Sequence, residues 1–213
     1  MSMTRHAKAM AFGFAFFLSF VLVGRVAGQD TDDYPVVHPY QRVQISNLAN
    51  ISSTDTSSPA ITKAALAIVI SASKLKCEPG SQLESIADAN AGASLQTLVA
   101  KIAGAACLAN DRRFRVTASF VPNGAIQGNA IIASLKQGRP LLSEWKGMLY
   151  VLYGIVYDEH LYSSGRQDNI VRDLLLIDPR YSCERRFVQF KRDKDNFAEI
   201  EGLATIGIVG RND

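Results

Sequence analysis

The sequence predicts an α+β domain in which a buried helix packs on a mostly antiparallel, strongly twisted sheet. Two observations carry that expectation. Apolar residues recur at helical spacing through most of residues 58–107, and beyond residue 113 the pattern changes to alternating or continuous apolar runs separated by polar turns. Helices therefore come first and strands afterwards, an order that argues against alternating βαβ units and a parallel sheet. No internal repeat is visible.

The chain has 213 residues. It opens with Arg5, His6 and Lys8, followed by the apolar "AMAFGFAFFLSFVLVG" and the small-residue pattern Val26-Ala27-Gly28. That is the composition of a signal peptide over residues 1–28 rather than of a retained membrane anchor, and it implies a secreted or periplasmic protein. Arg5, Lys8 and Arg25 leave with it, and no acid does, so 20 of the 23 Lys and Arg face all 20 Asp and Glu in the remainder. A mature chain near neutrality has no excess basic field, which removes nucleic acid and anionic membrane as default partners.

About 185 residues then suit one domain with a sizeable core. Cys77, Cys107 and Cys183 remain, an odd count that predicts one disulfide and one spare thiol, with Cys77–Cys107 the expected pair. Their spacing fits no zinc pattern, only His38 and His160 are left as histidines, and no cofactor is implied.

Residues 29–57 are rich in Asp, Ser, Thr and Asn around "YPVVHPY", in which Pro35 and Pro39 oppose a helix or a central strand, so an extended polar arm is expected. The domain proper begins at residue 58. Ser57 or Ser58 is suited to cap a helix, Pro59 to its first turn, and "AITKAALAIVISASKLK" continues it with apolar residues on nearly every face, predicting a buried helix over residues 59–76. Ser81 and Glu84 have capping-box spacing before a short helix, and Leu95, Leu98, Val99, Ile102 and Ala106 mark a third over residues 94–107. In "RFRVTASF", Phe114, Val116, Ala118 and Phe120 alternate with polar residues, the mark of a half-buried strand. A brief helix over residues 129–137 is stopped by Gly138. Strands are expected at "PLLSEW", "MLYVLYGIV", "RDLLLID", "RRFVQFK" and "LATIGIV".

The ordered features Gly138-Arg139-Pro140, Gly147, Tyr153-Gly154 and Asp178-Pro179 resemble bacterial papain-like cysteine peptidases related to bacteriocin-leader-processing enzymes, over roughly residues 58–190. Each feature alone is common, and their order carries the resemblance. It implies a papain-like fold. It also implies a cysteine at the start of the buried helix and a histidine opening the strand after the Gly-Arg-Pro, oriented by an acid. Here those positions read Thr62, Met148 and Asp178, and no glutamine precedes Thr62 to donate to an oxyanion. Methionine cannot shuttle a proton, and an unassisted threonine hydroxyl stays protonated near neutral pH.

The expectation is therefore a catalytically inactive relative that binds a peptide or protein segment in its cleft, with Trp145, Met148 and Tyr150 as cleft-binding residues. Trp145 and Tyr150 also suit ordinary strand packing. The alternative is an active peptidase using Thr62, Ser58 or Cys77 as nucleophile. A trio of Cys77, His160 and Asp178 is disfavoured, because Cys77 lies past the far end of the helix and His160 falls in an expected hairpin loop. The arm immediately precedes the helix end that forms the cleft floor, which suggests as a hypothesis that it blocks the cleft.

Overall fold

The computed structural model describes residues 34–49, 51, 53, 55–181, 185–189 and 200–210. The leader expected over residues 1–28 and the third cysteine, Cys183, lie outside the described residues. The architecture is α+β, with four α-helices and an eight-stranded sheet among the described residues, every strand pairing being antiparallel.

The strands are β1 (Val36–Gln44), β2 (Ala106–Ala109), β3 (Arg112–Pro122), β4 (Leu141–Trp145), β5 (Met148–Leu161), β6 (Gln167–Ile177), β7 (Arg185–Gln189) and β8 (Ile200–Gly210). They are ordered β2-β3-β8-β4-β5-β6-β7, and β1 joins β5 off this path. β5 is the spine. One of its edges carries β6, and the other carries β4 along residues 148–152 and then β1 along residues 154–161. At the change of partner sits Gly154, where a Cβ would lie 2.8 Å from the Gln44 Cβ and 2.8 Å from the Leu175 Cδ1, so only glycine fits.

Helix α1 (Ser58–Ser71), α2 (Gln82–Ala89) and α3 (Leu95–Ile102) contribute to one apolar core with Val116, Leu142, Val151, Tyr153 and Ile206 of the sheet. Helix α4 (Gly128–Lys136) packs with Tyr150, Leu152, Ile155, Leu174 and Leu176 in a second core. Two cores explain why "YVLYGIVY" reads as a continuous apolar run: alternate residues enter alternate cores. The register shift between Leu152 and Gly154 switches the parity, so that Tyr150 and Leu152 are followed into the second core by Ile155 and Tyr157.

Several local expectations are met in detail. Ser81 accepts the Glu84 N–H at the start of α2, and Ser94, a cap not foreseen from the sequence, accepts the Thr97 N–H at the start of α3. The Glu84 carboxylate reaches back to the Gly80 N–H, one residue before the usual capping-box partner. Gly138 takes φ +71 just past α4, as a helix stop requires. Cys77 and Cys107 form a disulfide.

Other expectations need correction. α1 ends at Ser71, not at residue 76: the Ser71 Oγ donates to the Ile68 carbonyl, the following N–H groups bond three residues back, and Lys74 takes φ 57. α3 ends at Ile102, because Gly104 at φ +84 turns the chain into β2, which places Cys107 on a strand. Within the expected arm, Val36–Gln44 form a strand paired to β5, with a bulge at Pro39 and Tyr40. His160 lies within β5 opposite Asp168, not in a loop.

Candidate functional site

α1 presents its N-terminal turn to a pocket of about 110 Å³. Ser57 occupies the N-cap with extended backbone, but its hydroxyl donates to Asp55 at 2.8 Å instead of capping the helix. Ser58, Ile61 and Thr62 line the pocket from this side. Thr62 is buried, and its Oγ1 donates to the Ser58 carbonyl at 2.9 Å. That bond ties its proton to the helix backbone.

The β4–β5 hairpin brings the second wall. Lys146 at φ 52 and Gly147 at φ 68 are the two central residues of a tight turn with positive φ at both, a geometry that matches strand twist. The turn sets Met148, 38% exposed, at the mouth. The Gly147 N–H donates to the Glu201 Oε1 at 2.8 Å, anchoring the hairpin to β8.

The third wall comes from the turn after β6. Asp178 is 1% exposed, and its Oδ1 accepts both the backbone N–H and the Nε–H of Arg180, at 3.1 and 2.9 Å, while Oδ2 accepts Nη2 at 2.5 Å. This is a local turn closed on its own side chain, with Pro179 between acid and base. The bidentate bond raises the Arg180 pKa further above its already high ordinary value. Arg180 lines the pocket, and its Nη1 lies 3.1 Å from the Met148 Sδ. From β4, Glu144 also lines it, its Oε2 accepting the Leu95 N–H at 2.9 Å at the first turn of α3. Leu95, Leu98 and Leu149 supply apolar wall.

Thr62 and Met148 thus meet at one pocket, while Asp178 stands behind it and acts through Arg180. Of the residues expected to bind a ligand, Met148 lines the pocket. Trp145 and Tyr150 do not: their rings pack on each other with centroids 5.4 Å apart, Tyr150 within the second core and Trp145 against it. Ser58 lines the pocket, and Cys77 does not, its sulfur being bonded to Cys107. A guanidinium cannot accept a proton from Thr62 or Ser58 at any ordinary pH. Arg180 and Glu144 were not singled out from the sequence. The Asp-Pro-Arg order was the available signal for Arg180, since an acid two residues before an arginine at a strand end favours such a turn.

A larger groove of about 630 Å³ runs along the opposite flank of α1, between the arm residues Ala49, Ile51 and Ser53 and helix α2. Its size exceeds that of the first pocket, and two of its charged groups are engaged structurally: Lys63 pairs with Asp88 at 2.7 Å, and Glu84 holds Gly80. The described arm residues Ala49, Ile51 and Ser53 line this groove rather than the smaller pocket.

No family model, curated protein or solved structure matches the chain.

Proposed function

We propose that this chain is an exported, catalytically inactive relative of papain-like cysteine peptidases that binds a peptide or protein segment in extended form. One observation carries the reading. The two positions that the resemblance assigns to nucleophile and base, Thr62 and Met148, line the same pocket, and the group between Met148 and the buried acid is Arg180, which donates hydrogen bonds and accepts no proton. A site of this kind retains walls and donors for a ligand while the positions of nucleophile and base supply no thiol–imidazole relay.

Export is supported by the Cys77–Cys107 bond, which persists in oxidising compartments. The rival, an active peptidase with Thr62 or Ser58 as nucleophile, has the Glu144 carboxylate as a base within the same pocket, but Glu144 is tied to the Leu95 N–H and the Thr62 hydroxyl donates to the Ser58 carbonyl rather than to it, and Cys77 as nucleophile needs its disulfide opened.

The test incubates the full chain with a tryptic peptide mixture and, separately, with fluorophosphonate and iodoacetamide probes. Retention of intact peptides is expected. Stoichiometric labelling of Thr62, Ser58 or Cys77 that disappears on denaturation would overturn inactivity, and failure to retain any peptide would overturn binding.

A further inference from the structure

Resting on the peptide-binding reading, we infer that the pocket selects one residue of an extended peptide: its small aliphatic side chain fills the cavity, its N–H donates to Glu144, and its carbonyl accepts from Arg180. Three features of the pocket specify that ligand.

The first is volume. An apolar cavity of about 150 Å³ is what holds a benzene ring, and this pocket offers about 110 Å³ between Ile61, Leu95, Leu98 and Leu149. A branched aliphatic group fits, and an aromatic ring does not.

The second is hydrogen bonding. The Leu95 N–H fixes the Glu144 carboxylate through Oε2 at 2.9 Å and leaves Oε1 without a partner among the described residues. Arg180 spends Nε and Nη2 on Asp178, and its Nη1 ends on a thioether, which is a weak acceptor. A carbonyl oxygen replacing that sulfur makes a stronger, charge-assisted bond. One open acceptor beside one under-used donor matches the single N–H and single C=O that each residue of a peptide presents.

The third is charge. Asp178 neutralises Arg180, so Glu144 leaves the site with an excess negative charge. A free carboxylate or acidic side chain is therefore repelled, and an uncharged residue within a chain is admitted.

Met148 supplies the reporter. The full chain is labelled with ¹³C-methyl methionine, the Met148 signal is assigned by its absence in Met148→Leu, and acetyl-X-N-methylamides with X as Val, Phe or Asp are titrated in. The Val compound is expected to shift the Met148 methyl saturably and to bind about tenfold or more tighter than Phe or Asp, the range for one misfitted group in a closed pocket. Ala93→Leu, which enlarges an exposed wall residue, abolishes the shift, and Glu144→Gln weakens it about tenfold. Equal binding of all three compounds, or a preference for Phe or Asp, overturns the selection while leaving peptide binding intact. No shift with any compound overturns both, and a shift that survives Ala93→Leu overturns the placement in this pocket.

Discussion

Two buried aspartates, Asp158 and Asp178, each hold an arginine by two side-chain bonds, and the two pairs end differently. Asp158, on β5, takes Nε and Nη2 of Arg172 from the neighbouring strand β6 and also the backbone N–H of Tyr40 at 3.1 Å, from a residue 118 positions away. A tyrosine ring stacks on each guanidinium, with Tyr40 4.9 Å from Arg172 and Tyr181 5.4 Å from Arg180. Asp178 makes the corresponding bonds to a residue two positions away, and its arginine points its last donor into a cavity. The same ion-pair chemistry thus serves as a clasp where it joins distant strands. It serves as a presenting device where it is local and a further donor faces a cavity.

The contrast breaks first under Asp158→Ala. The partly exposed Arg172 loses its counter-charge and β1 loses the carboxylate that holds Tyr40 at φ 55, and the loss of these three charge-assisted hydrogen bonds is expected to cost about 3–5 kcal/mol in urea unfolding. A loss below about 1 kcal/mol would make the clasp no better than a surface pair. Next in size is the disulfide: replacing Cys77 and Cys107 together with serine releases a separation of 30 residues and is expected to cost roughly 2–4 kcal/mol. Peptide binding at the smaller pocket should persist wherever the protein remains folded, because the bridge borders the other groove.

Arg180→Met is expected to cost about 1–3 kcal/mol of stability and, more tellingly, at least about tenfold in peptide affinity. Arg172→Met should leave affinity unchanged in the folded fraction, and equal effects of the two on binding would erase the distinction. The smallest effect is at Asp173, whose carboxyl pKa is raised, chiefly by burial, and whose Oδ1 has no partner among the described residues. A carboxyl raised in the folded state favours folding while protonated and opposes it once ionised. Asp173→Asn should therefore raise Tm by roughly 1–2 °C at neutral pH, and the gain should vanish on acidification through the carboxyl titration, where the wild type is neutral too.

The difference between local and distant interactions also explains what was legible in the sequence. The alternation of Phe114, Val116 and Ala118, the apolar run of β5, the cap at Ser81 and the stop at Gly138 are local signals, and each appears in the fold. β1 was not legible as a strand. Pro39 argued against one, and what pairs the segment to β5 around a bulge at Pro39 is a carboxylate far along the chain. β2 was absorbed into the helix before it because four residues carry too little periodicity to separate from Ile102 and Ala106. At the site, the positions of Thr62 and Met148 came from ordered motifs. Glu144 was invisible because its role depends on the α3 N-terminus docking beside β4, whereas Arg180 sat in a readable Asp-Pro-Arg turn.

The central claim is that a peptide lies at the pocket shared by Thr62, Met148 and Arg180 and leaves uncleaved. Acetyl-Ala-photoleucine-Ala-amide, cross-linked to the full chain by ultraviolet light and mapped by mass spectrometry, tests it most directly. The account predicts adducts at Met148, Ala93 or Leu98 carrying the intact peptide. Adducts along Ala60, Ala67 and Leu75 in the larger groove, or a peptide recovered in fragments, would contradict it.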